Sequence, residues 1–99
     1  MLNIEKTQNG PELVIAVDGR IDTTTAPQLE AELKNKLDGI ETLVFDLEKL
    51  QYISSAGLRV LLSTQKVMMK QGKMVLRKVP AEIMDIFEVT GFSDILTIE

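Results

Sequence analysis

Cysteine and histidine are both absent from these 99 residues, and so is tryptophan. Without cysteine there are no disulfide staples, no cysteine-based zinc sites and no thiol nucleophile. Without histidine every mechanism built on an imidazole base is excluded. Three phenylalanines and one tyrosine are the only aromatics, so the core has to be built from leucine, isoleucine, valine and methionine. No apolar run approaches the ~20 residues of a membrane-spanning helix, and no membrane insertion is expected. Met1-Leu2-Asn3 carries neither a charged leader nor a hydrophobic run, so no signal peptide is expected and the cytoplasm is the expected location. Net charge is −4, which disfavours a general nucleic-acid binder.

The charge is unevenly placed. Residues 1–50 hold five basic and ten acidic groups, whereas residues 51–99 hold six and five. No acidic side chain occurs between Gln51 and Ala81, against Arg59, Lys66, Lys70, Lys73, Arg77 and Lys78. This is either a solvated face or one suited to an acidic partner.

A chain of this length forms one compact domain. Leu2–Ile4 reads as a strand extending towards Lys6, and Asn9-Gly10 as a hairpin turn. Leu13–Val17 is an apolar run without alternation, as in a central strand or one covered on both faces. Thr25 with Gln28 fits a capping box before Ala26-Pro27. Leu29, Leu33 and Leu37 mark one helix face, ended by Gly39. Thr42–Phe45 is a third strand. Asp46–Ile53 is a connection with an extended patch at its end. A second helix runs from about Ser55 to Gln71, with Leu58, Leu61, Leu62, Gln65 and Met68 or Met69 inward. Lys73–Val79 is a strand, Pro80 opens a third helix ended by Gly91, and Ile95–Ile98 adds a last strand. The order β-β-α-β-α-β-α-β predicts an α/β domain with a mixed, mostly parallel sheet against helices. Five glycines, Gly10, Gly19, Gly39, Gly72 and Gly91, mark turns or helix ends. Gly57 alone falls inside an element.

No catalytic constellation is present, and no phosphate-cradling glycine loop. Asp18 and Asp46 lie near strand ends where α/β domains place ligands. They lack the paired acidic cluster that a phosphoaspartate receiver needs for magnesium. Neither a cofactor nor a metal is implied. The sharper feature is Ser54-Ser55 at a helix start, followed by Gly57, where glycine costs roughly 1 kcal/mol relative to alanine. The serines read as helix caps, or as a site where a phosphate would be tolerated by the helix N-terminus yet would repel a partner docked over Gly57.

The stretch DLEKLQYISSAGLRVLL, Asp46 to Leu62, resembles the STAS domain of bacterial anti-sigma-factor antagonists, whose pattern is roughly D-L-S-x-V-x-x-[IM]-D-S-[ST]-G-L. Gly19-Arg20-Ile21-Asp22, Gly72–Leu76 and Phe87, Thr90, Gly91, Phe92 resemble further parts of that family in the same order. The resemblance implies a non-enzymatic binding module that switches partners. It would bind an anti-sigma factor that is also a serine protein kinase, be released on phosphorylation, and be reset by a serine phosphatase. It places the phosphoacceptor at Ser55. Ser54 stands where the family has aspartate, and Ala56 where it has serine or threonine, which leaves Ser54 as the alternative acceptor. The implied partner surface comprises Asp22, Thr23, Thr24, Ser54, Ser55, Gly57, Leu58 and Arg59. The competing reading is a stand-alone STAS scaffold subunit of a transporter or signalling complex, with the serines as caps only.

Overall fold

The computed structural model describes residues 2–99. Strands β1 (Leu2–Asn9) and β2 (Glu12–Ile21) form an antiparallel hairpin, followed by helix α1 (Ala26–Leu33). Strands β3 (Thr42–Asp46) and β4 (Leu50–Ile53) precede helix α2 (Ser55–Met69). Strand β5 (Lys73–Arg77) and helix α3 (Ala81–Thr90) complete the regular elements, with one 3-10 turn at Phe92–Asp94. The sheet order is β1-β2-β3-β5, with β4 also paired to β2. Pairing of β2 with β3 and with β4, and of β3 with β5, is parallel. The expected mixed, mostly parallel α/β domain is what forms.

β2 is the central strand. Glu12–Ala16 pairs with β3, and Gly19–Ile21 pairs with β4 across a bulge between Gly19 and Arg20. The bulge explains why Gly19 is not a turn residue. It lies inside the strand at φ 117°, a backbone conformation natural only to glycine. Leu13, Ile15 and Val17 face one core together with Leu43, Phe45, Leu61, Met68 and Phe87, whereas Val14 and Ala16 on the other face are only half-buried. The apolar run therefore reflects centrality, not helices on both faces.

Several boundaries shift for identifiable reasons. The hairpin loop is Gly10-Pro11, one residue later than Asn9-Gly10, because Asn9 still pairs with Glu12. α1 ends at Leu33 rather than near Gly39. Asn35 adopts φ 61° and breaks the helix, while Leu37 is buried from the loop beyond. The capping box does not form. The Thr25 hydroxyl donates to the Arg20 carbonyl at 2.7 Å and accepts from Asp22 N–H at 2.9 Å, and Gln28 donates to the Leu2 carbonyl. In α2 the inward residues include Val60 and Thr64, while Leu62 is half-buried and Met69 is exposed. The extended patch before α2 is a true strand, β4. The last strand is reduced to one parallel bridge between Leu76 and Ile98.

Candidate functional site

The site is assembled where β2 and β4 both end. Parallel pairing sets Ile21 beside Ile53, and Ser54 N–H donates to the Ile21 carbonyl at 2.8 Å. The chain leaving β2 at Asp22 and the chain entering α2 at Ser54 are thus held side by side.

The loop after β2 is fixed by its own side chains. Asp22 Oδ1 accepts from the backbone N–H groups of Thr24 (2.9 Å) and Thr25 (3.0 Å). The Thr25 N–H bond, above all, holds the Asp22 carboxyl below the ordinary aspartate range, with further help from Thr24, the Thr25 hydroxyl and Arg20. Asp22 is half-buried, and Thr23 and Thr24 are exposed. Just outside the loop the Arg20 guanidinium sits 4.6 Å from the centre of the Tyr52 ring, a stack worth about 0.5–1 kcal/mol at an exposed position.

At the start of α2 the two serines divide the work. Ser54 has extended backbone, φ −92° and ψ 175°, and is the cap: its hydroxyl accepts from Gly57 N–H over a long 3.4 Å. Ser55 is the first helical residue, is exposed, and its hydroxyl bonds to no other described residue. The first-turn N–H groups and the helix dipole make its surroundings electropositive. Among the described residues no carboxylate hydrogen-bonds to this hydroxyl.

Gly57 and Leu58 do not reach the surface. A Cβ on Gly57 would lie 2.6 Å from Ile21 Cγ2 and 2.7 Å from Ile53 Cγ1. The close approach that glycine allows is thus to the chain's own core, and not, as the sequence suggested, room left for a docked partner. Leu58 belongs to that core. Arg59 is exposed and, with Thr23, lines a shallow depression of about 190 Å³ between α1 and α2. Pro27, Glu30 and Ala56 line it too. None of these three was counted as a site residue from sequence, and neither was the Arg20–Tyr52 stack. The register that sets Arg20 opposite Tyr52 was the missing information.

The chain matches the STAS domain family over residues 3–99. It belongs to that family. Among its relatives this STAS domain is 40% identical over 88 residues to BtrV of Bordetella bronchiseptica, assigned as an anti-sigma factor antagonist, covering 87% of this chain and 76% of that one. It is 30% identical over 98 residues to the anti-sigma-B factor antagonist of Bacillus subtilis, covering 98% and 90%. The fold matches the crystal structure of an anti-sigma factor antagonist from Mycobacterium paratuberculosis with TM-score 0.89, at 23% identity, over 99% of this chain and 85% of that one. These relatives are named for antagonism of another protein and not for catalysis. No helix of the described residues is long and apolar enough to cross a membrane.

Proposed function

We propose that this STAS domain is a cytoplasmic anti-sigma-factor antagonist that works by phosphorylation-controlled partner switching. Unmodified, it binds an anti-sigma factor that is also a serine protein kinase. The kinase's base takes the Ser55 proton as Ser55 Oγ bonds to the γ-phosphorus of ATP and ADP leaves. The phosphorylated chain dissociates, and a serine phosphatase returns the hydroxyl.

One observation carries this reading: Ser54 alone does the capping, so the exposed Ser55 hydroxyl is not needed for the fold. That separates the roles of the two serines and favours Ser55 over the alternative, Ser54, as acceptor. Phosphate on Ser55 would bring close to two negative charges. The helix N-terminus accommodates them, so the domain stays folded, while a partner seated across Asp22–Thr24, Ser55 and Arg59 meets a bulky anion. The relatives named as antagonists support the same role. Ser54 in place of the family's aspartate favours the second reading, a scaffold subunit without a switch.

The test is the affinity of Ser55→Asp for the candidate anti-sigma kinase, by titration calorimetry. The variant is expected to remain folded and to bind at least tenfold more weakly, about 1.4 kcal/mol. Native affinity would reject the switch and leave the scaffold reading.

A further inference from the structure

The end of β2 outruns its antiparallel neighbour. The described pairing with β1 stops at Gly19, whereas β2 continues to Ile21 beside β4. Successive residues of a strand turn their backbone groups to alternate edges. Gly19 N–H donates to the Lys49 carbonyl and the Ile21 carbonyl accepts from Ser54 N–H, both on the β4 side. The Arg20 carbonyl between them therefore faces the edge where the described pairing with β1 has ended, and it needs a donor. The Thr25 hydroxyl supplies one, at 2.7 Å.

That hydroxyl ties the whole loop together. It accepts from Asp22 N–H at 2.9 Å and shares its own proton with Asp22 Oδ1 at 3.2 Å. The same carboxylate oxygen accepts from the N–H groups of Thr24 and Thr25, and the Asp22 carbonyl accepts from Ala26 N–H at 2.8 Å. The N–H groups of Asp22, Thr24, Thr25 and Ala26 are thus all spent inside the loop. The Thr23 and Thr24 side chains are exposed, and neither hydroxyl bonds to another described residue. Ser55 is held independently. Its place follows from the Ser54 N–H bond to the Ile21 carbonyl and from the Ser54 cap, and Thr25 takes part in neither.

We infer that Thr25 is a positioning residue for the partner. Its hydroxyl fastens the Asp22–Thr24 loop to the end of β2 and so presents the Thr23 and Thr24 hydroxyls and the Asp22 carboxylate in one arrangement beside Ser55. This rests on the reading that a kinase docks across that loop, and it adds what sets the strength of docking. A loop already ordered in the free chain need not be ordered on binding, which is how preorganisation raises affinity. Because the Ser55 hydroxyl is held without Thr25, the effect falls on docking and not on phosphate transfer.

The experiment compares the native chain with Thr25→Val, which keeps the side-chain shape and loses the hydroxyl, and with Thr25→Ser, which keeps the hydroxyl. Each is given to the candidate anti-sigma kinase with ATP, and initial rates of Ser55 phosphorylation are measured against chain concentration. Thr25→Val is expected to raise KM for the chain about tenfold, with kcat within about twofold of native. Thr25→Ser should restore the native KM. Amide hydrogen exchange at Asp22 and Thr24 should quicken in Thr25→Val and not in Thr25→Ser. Melting curves establish that each chain is folded at the assay temperature. If the valine variant unfolds, Thr25→Ala, which sets no methyl against the Arg20 carbonyl, makes the same comparison. Native KM in the variant lacking the hydroxyl overturns the inference, even where its melting temperature falls, because the role is then structural only. A fall in kcat at unchanged KM, or an equal rise of KM in Thr25→Ser, also overturns it. A native chain that gains no phosphate on Ser55 overturns the proposed switch and this inference together. A native chain phosphorylated on Ser55 beside a valine variant of native KM overturns this inference alone.

Discussion

Replacing Gly57 by alanine adds one methyl at the most crowded point beneath the site. The new carbon would stand 2.6 Å from Ile21 Cγ2 and 2.7 Å from Ile53 Cγ1. Comfortable carbon–carbon contact begins at about 3.5 Å, so roughly 0.8 Å must be recovered on two sides. Neither neighbour has room to give, since Ile21 is 0% and Ile53 1% exposed, and both sit on paired strand ends. Forcing a methyl into such a core costs about 1–3 kcal/mol. Alanine's helical preference returns up to about 1 kcal/mol. With both sides of the new methyl blocked the cost falls in the upper half of that range, about 2–3 kcal/mol, so the net expectation is a loss of about 1–2 kcal/mol. In urea, with m about 1 kcal/mol/M for a domain this small, the midpoint should fall by about 1–2 M. A midpoint equal to or above that of the native chain would refute the argument that Gly57 is held by internal packing.

Three further outcomes follow from the same geometry. Ser54→Ala removes the only side-chain cap of α2; because that contact is long, the loss should lie near the lower end of the capping range, about 0.5 kcal/mol, or a few degrees of melting temperature. Gly72→Ala would drive a methyl into the Glu41 carbonyl that Lys73 N–H already bonds, and should cost about 3 kcal/mol, read as a collapsed urea midpoint. Asp22 should titrate below the ordinary aspartate value of about 3.9 in an NMR pH series, since its charged form accepts the Thr25 and Thr24 N–H bonds. Its support of the loop is present above the unfolded value and is lost as pH falls through the folded one; titration at or above 3.9 would contradict the turn described.

What could be read from the residues was whatever depends on local chemistry. The serine pair at the start of α2, the apolar run of β2, the glycine at the end of α3 and the early Pro27 of α1 each carry their own structural signal. What could not be read depends on neighbours distant in sequence. Gly19 looks like a turn residue until β4 is set against β2 and the chain must bulge. Leu37 continues a helical period, yet the helix stops at Leu33 and the leucine is buried from a loop. Thr25 and Gln28 have capping-box spacing, but Thr25 bonds Arg20 and Asp22 while Gln28 reaches Leu2. Gly57 was legible as an anomaly, and its cause was not, because Ile21 is a long way off in the chain.

The most direct test is to incubate the chain with the candidate anti-sigma kinase and ATP, and to locate the phosphate by mass spectrometry in the native chain, Ser54→Ala and Ser55→Ala. The account predicts one phosphate on Ser55, retained in Ser54→Ala and lost in Ser55→Ala. A phosphate carried only by Ser54 or by any other residue, or none on any of the three, would contradict it.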